Sequence, residues 1–256
     1  MKKSADLHLH SNHSDDSIEK MENYPLEAIK KNIDIICYTD HVDFNPCDSG
    51  YLKYNPDLFW HEFNNLKLKY QNQVILLAGI EVGEPHLYPN EMKELLKYSY
   101  DYVLGAIHFW HENMFASVVA KTIPIKDAFN KYYDALLLMV TNANINAVAH
   151  FDFPKRYYKD LYFNEKLITS IIKIMIKKNI VLEINTSNLR LGLNLAMPDE
   201  EILEVYVKHG GKYVTFASDA HQANHLGEGI KYKNFLLQKY NLIEVYFKKQ
   251  KMIILS

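Results

Sequence analysis

Short apolar runs rich in valine, isoleucine and small residues recur along the chain, separated by stretches whose apolar positions return every three or four residues. The runs Ala5–His10, Ile33–Thr39, Val74–Val82, Tyr102–His108, Ile145–His150, Ile180–Asn185 and Tyr213–Asp219 predict seven strands. Helical patterns lie between them at Pro25–Lys31, Leu58–Tyr70, Asn90–Lys97, Ile125–Thr141, Glu165–Lys178, Asp199–His209 and Gly229–Tyr240. Strand and helix alternating in this way predict parallel βα units. A closed barrel and an open doubly wound sheet both fit that pattern. The tail offers two further short runs, Ile243–Phe247 and Met252–Leu255, which the pattern leaves without a place.

Punctuation agrees with the helix assignments. Gly210 and Gly211 follow Lys208 and His209, giving a basic last turn and a glycine cap. Asp199 and Glu200 put negative charge at the start of the same helix, behind Pro198. No repeat, low-complexity tract or flexible linker divides the 256 residues, so a single domain over 1–256 is expected.

Composition narrows the class. Hydrophobic residues make up 48% and charged residues 23%, enough for a sizeable core and against disorder. Cys37 and Cys47 are the only cysteines, which excludes a thiolate metal cage. No run is long enough to span a bilayer and no apolar leader follows Met1, so a cytoplasmic location is expected. The net charge of -2 gives no footprint for nucleic acid. Of the 29 basic residues only Arg156 and Arg190 are arginines, leaving 27 lysines.

The chemistry lies at the C-terminal ends of the predicted strands. His8 and His10 end the first, Thr39-Asp40-His41 the second, Glu81 the third, His108 the fourth and His150 the fifth. Asp219-Ala220-His221 end the seventh. In a parallel barrel these ends converge on one face. His8 and His10, two apart in a strand, point to the same side and can share an ion. Imidazole with carboxylate suits zinc, iron or manganese better than magnesium or calcium. Taken singly, each has a plainer explanation, as a hydrogen-bonded core histidine or, for Asp219, a helix cap. Glu81 resists one, because a buried unpartnered carboxylate is costly.

With these segments in place, the chain resembles the polymerase and histidinol phosphatase (PHP) family. The resemblance rests on Asp6-Leu7-His8-Leu9-His10-Ser11 with Ser14-Asp15, then Thr39-Asp40-His41, Gly79-Ile80-Glu81, Gly105-Ala106-Ile107-His108, Ala149-His150 and Ser218-Asp219-Ala220-His221. It implies a distorted (β/α)7 barrel holding up to three divalent metal ions at the C-terminal ends of its strands. It also implies that His8, His10, Glu81 and Asp219 hold the first ion. Glu81 would bridge to a second, held with His108 and His150, and Asp15, His41 and His221 would hold the third. At the aspartate position Asp16 and His13 compete with Asp15.

Clustered cations suit phosphate ester hydrolysis, and the expected reaction is attack by a metal-bridging hydroxide on a phosphate monoester. Glu81, Asp219 and His221 are the expected catalytic residues, the last two as candidate acids. Arg156 and Arg190, on loops past strand ends, are the expected phosphate grips. The aromatic-rich segments Leu58-Phe59-Trp60-His61 and Phe109-Trp110-His111 are candidate walls of an imidazole pocket, or plain packing. The resemblance lies nearest the histidinol-phosphate phosphatase branch, which implies L-histidinol phosphate as the small-molecule substrate. A related enzyme acting on nucleotides or short oligonucleotides, and a non-catalytic metal-binding barrel, are the alternatives.

Overall fold

Burying β-branched runs on both faces of a sheet requires covering helices, and the chain supplies them in alternation. A computed structural model describes residues 3–111, 113–193 and 196–256. Seven parallel strands follow one another in order: β1 (Ala5–Leu9), β2 (Ile35–Tyr38), β3 (Ile75–Gly83), β4 (Tyr102–Ala106), β5 (Ala147–Val148), β6 (Val181–Asn185) and β7 (Tyr213–Ala217). Each pairs with its predecessor, and β7 returns to β1 through a bridge between Leu9 and Ala220. That seam is a junction and not a ladder. Asp6 holds it from the side, accepting from the backbone N–H of Ser218 at 3.0 Å and of Gly227 at 2.7 Å. The result is the expected α/β architecture, a mostly parallel sheet rolled into a distorted barrel.

Two apolar layers share the strands. Outside, Ile36, Ile80, Val103 and Val148 pack on helix residues such as Phe129, Leu136 and Ile172. Inside, Leu7, Cys37, Leu77, Tyr102 and Leu104 form a smaller cluster. The helices start where side chains can cap them. Asn55 accepts from the N–H of Asp57 and Leu58 ahead of Pro56–Tyr70, and Asp199 accepts from Glu201 ahead of Glu200–Lys208. Gly210, at φ 92°, ends the latter helix in the left-handed conformation expected of a glycine cap.

The tail now has a place. β8 (Ile243–Lys248) runs parallel to β7, and β9 (Lys251–Ile254) folds back on β8. Their turn, Lys249-Gln250, has positive φ at both residues, and Asp101 steadies it by accepting from both backbone N–H groups. The hairpin drives Val245, Phe247 and Leu255 into the inner cluster, where Phe247 stacks on Tyr102 with ring centroids 5.3 Å apart. It plugs the N-terminal end of the barrel. The other end stays open, and no helix among the described residues is long and apolar enough to cross a membrane.

Candidate metal centre

The open end gathers buried polar groups because each strand changes character as it leaves the apolar core. β1 shows the change most sharply. Its register shifts between Asp6 and Leu9, so that Leu7 packs inside the barrel while His8 and His10 turn to the mouth. After β2 the chain resumes pairing at His41–Val42, which sets His41 opposite Glu81 of β3. His150 and Asp219 follow β5 and β7 with φ of 27° and 53°, unusual values for residues other than glycine.

Around Glu81 the donor atoms converge. His8 Nε2, His10 Nε2, Glu81 Oε2 and Asp219 Oδ1 form a tetrad. His8 Nε2 lies 2.9 Å from His10 Nε2, 3.1 Å from Glu81 and 3.7 Å from Asp219. His10 Nε2 lies 3.5 Å from Glu81 and 3.4 Å from Asp219. Four ligands about 2.0–2.1 Å from a tetrahedral ion stand roughly 3.3 Å apart, and these separations scatter about that value. The far ring nitrogens are already committed. His8 Nδ1 meets Glu183 Oε1 at 2.8 Å and His10 Nδ1 meets Ser14 Oγ at 3.1 Å, so the near nitrogens face inward.

The other oxygen of Glu81 serves a second group, with His150 Nε2 at 3.0 Å and His108 Nε2 at 3.7 Å. A third group joins His221 Nε2 to Asp16 Oδ2 at 2.9 Å and His41 Nε2 to the same oxygen at 3.5 Å. His41 Nδ1 is buried without a hydrogen bond although it stands 3.3 Å from Glu81 Oε2. His41 Nδ1 and Glu81 Oε2 are thus close without hydrogen-bonding each other, as two ligands of one ion would be. The donor set therefore fits divalent cations.

The ionisation pattern agrees. Burial disfavours charge throughout, yet the carboxylates of Glu183, Glu81 and Asp219 hold His8 well above its ordinary pKa. His8 and His41 hold Glu81 well below its own, against its burial. Burial and the neighbouring His221 and His41 push His10 down to about 3, and burial takes His108 to about 3. Protons on some imidazoles balance the buried acids in the absence of another cation.

Several expectations change. The structure brings Asp16, not Asp15, to His41 and His221. Asp15 Oδ2 instead accepts from Ser49 Oγ at 2.6 Å, in a separate acidic group with Asp43 and Asp48. His13 pairs with Glu62 at 3.0 Å, away from the centre. Arg156 lines the cavity of about 270 Å³ above the centre, donating to Ser187 Oγ at 2.6 Å and approaching Asp219 Oδ2 at 3.4 Å. Arg190 does not. Its nitrogens go to the carbonyls of Ser218 and Asp219 at 2.9 and 2.8 Å and to Glu228 at 3.2 Å, so it braces the β7 turn from behind. The cavity's aromatic wall is Phe115, Phe153 and Tyr157, whereas Phe59 is buried in the outer core and neither named segment lines it.

Glu183 is the residue that strand-end reasoning missed. It lies in β6, the one barrel strand given no candidate, yet it holds His8 Nδ1 and also accepts from the backbone N–H of His150 at 3.0 Å. A lone glutamate in the run Ile180–Asn185 was its only signal. Asp40 and Glu84 likewise stabilise backbone: Asp40 accepts from the N–H of Ser11 as well as from the Ser11 and Ser14 hydroxyls, and Glu84 from the N–H of His108 and Phe109.

Known proteins resemble this chain in sequence and fold. The PHP domain model matches residues 6–187. A "probable histidinol-phosphatase" of Clostridium acetobutylicum is 32% identical, covering 96% of this chain and 98% of its own. One of Thermotoga maritima is 30% identical, covering 92% of each. The crystal structure of the histidinol phosphate phosphatase of Lactococcus lactis, complexed with zinc, L-histidinol and phosphate, superposes with a TM-score of 0.87. It is 24% identical over 98% of this chain and 99% of that one, a likeness of fold.

Proposed function

The chain belongs to the PHP domain family, and from that premise we propose that it is a metal-dependent phosphomonoesterase converting L-histidinol phosphate to L-histidinol and phosphate, a step of histidine biosynthesis. The observation that carries the chemistry is the convergence of His8, His10 and Asp219 with Glu81, in which five donor separations of 2.9–3.7 Å scatter about the edge length of a tetrahedral site. The substrate rests on the relatives, which carry histidinol-phosphatase names along nearly the whole chain.

Three divalent ions are the fullest reading. His8, His10, Glu81 and Asp219 would hold the first, Glu81 with His108 and His150 the second, and Asp16, His41 and His221 the third. Zinc, iron and manganese all suit these ligands. When bound, such ions lower the pKa of water and neutralise phosphoryl oxygens as charge moves to the leaving group. The chain's own residues do the rest. Glu81 spans two groups with its two oxygens and fixes their spacing. Glu183 turns His8 so that its Nε2 faces inward, and Ser14 does the same for His10. Arg156, held over Phe153 and against Ser187, offers its guanidinium to the phosphate. His221 stands at the mouth, partly exposed; as a ligand of the third ion through Nε2, with Nδ1 at the Asp219 carbonyl, it would hold that ion and would not deliver the proton to the departing alkoxide. One domain over 1–256 carries all of this.

The test is phosphate release from L-histidinol phosphate against a panel of nucleotide and sugar phosphates, after reconstitution with zinc, manganese or iron. A preference for histidinol phosphate that chelator abolishes is expected. Metal-dependent preference for nucleotides would overturn the substrate, and inactivity with every metal would overturn the enzyme.

A further inference from the structure

The loop after His41–Val42 carries a second polar group that the reaction leaves unused. Asp15, Asp43 and Asp48 bring carboxylate oxygens within 4.8 Å of one another, and all three line the cavity. Two have internal partners, since Ser49 Oγ donates to Asp15 and the N–H of Gly50 donates to Asp48 at 2.7 Å. Asp43 is different. It is only 5% exposed, yet no donor among the described residues reaches its side chain. A buried carboxylate without a hydrogen-bond donor is costly; the neighbouring His41 offsets part of that cost, and the carboxylate faces the cavity.

The fold keeps room for that carboxylate. A Cβ at Gly83 would lie 2.6 Å from Asp43 Oδ1, and one at Gly50 would lie 2.8 Å from Asp43 Oδ2. Bare backbone on two sides lets the group sit where it does. The surrounding loop is tied down by the N–H of Leu52 on the Asp43 carbonyl and by a bridge between Asp43 and Tyr51.

The geometry points to Asp43, with Asp48 and Asp15, as the subsite for a substrate ammonium group, so that the enzyme selects phosphate esters of amino alcohols. This rests on the histidinol phosphate reading above. Asp15, Asp43 and Asp48 together offer carboxylates alone, and a carboxylate cluster suits a cation bearing three N–H donors. Its placement suits the substrate as well. L-histidinol phosphate carries its ammonium on the carbon next to the ester methylene, so the cation must bind beside the phosphate. Asp43 does border that site, its carboxylate forming a group within 4.8 Å with donor atoms of His41 and His108. Arg156, the cavity's cationic side chain, comes from the loop after β5, three strands round the barrel from the loop after β2. The two charges of the substrate therefore have separate walls to face.

The measurement is the ratio of kcat/KM for L-histidinol phosphate to that for its desamino analogue, 3-(imidazol-4-yl)propyl phosphate, with the metal content of each protein determined alongside. In Asp43→Asn and in the half-buried Asp48→Asn, the ratio should fall about ten- to a hundredfold, mainly through KM for the ammonium-bearing ester. Metal content should match the parent. An unchanged ratio in both variants overturns the subsite. Loss of one equivalent of metal also overturns it, because the carboxylates would then be holding a metal ion. If the unmodified enzyme is active but indifferent to the ammonium, the subsite alone fails. If it prefers an unrelated ester, the substrate reading fails first.

Discussion

At the N-terminal end of the barrel, Leu7, Leu77 and Tyr102 close over Val245, Phe247 and Leu255 from the tail, and the interior is apolar. A few residues further along the same strands, His8, Glu81 and Asp219 stand equally buried with charges facing one another. One end is held by area removed from water, the other by groups that only a cation reconciles. The difference teaches that burial here has two meanings. At the plug it is the source of stability. At the mouth it is an electrostatic cost, which a bound cation would offset.

The largest expected effect breaks the mouth while sparing the plug. Glu81→Ala removes the carboxylate shared by two groups of donors, so hydrolysis should fall by about a thousandfold or more, with loss of bound metal. Far-ultraviolet circular dichroism should stay unchanged. Activity near the parent level would sink the role of Glu81.

Next is the reverse perturbation. Phe247→Ala empties a side chain that is only 2% exposed and should destabilise the fold by about 3–5 kcal/mol in chemical denaturation. In the fraction that remains folded, kcat should hold. A fall in kcat matching that of Glu81→Ala would mean that the two ends are not separable.

The smallest effect is a sharpening by pH in the metal-free protein. His8, His41 and His221 have pKa values raised above their ordinary 6.5, so their contribution is full below 6.5 and is lost as pH rises through the folded values. Glu81 and Asp219 are lowered from 4.5 and 3.8, so theirs is full above those values and is lost as pH falls through the folded ones. His10 and His108, held down to about 3, lose their contribution as pH falls below 6.5, so the melting temperature without metal should peak near pH 6.5 and decline above it. Reconstitution with zinc should remove that decline, because the ion replaces the protons. Parallel profiles with and without metal would contradict the assignment of the mouth as a cation site.

How much of this was legible in the sequence depended on the range of the interaction. Alternation and capping are local, and the seven strands were found with ends off by a few residues; β5, expected over Ile145–His150, pairs only at Ala147–Val148. The placing of His8, His10, Glu81, His108, His150 and Asp219 at strand ends followed from the same local signal plus the rule that parallel strands share a face. Asp15 and Asp16 show where that signal stops. They are neighbours in one loop, and only the approach of His41 and His221 from two other loops selects Asp16 for the centre. Arg190 stops there too, since the β7 turn it braces lies 28 residues away.

The sequence by itself determined the alternating α/β class, the family resemblance and the kind of ligand, because hydrophobic period and side-chain chemistry are properties of short segments. The tertiary structure decided the closure, the plug and the partners. The tail's turn uses Lys249-Gln250, a pair with no turn signature, and forms because Asp101 accepts its N–H groups from across the barrel. Glu183 became a support for His8 through a contact spanning 175 residues. Such pairings depend on which strands meet in the rolled sheet, and no local pattern encodes a distance measured across it.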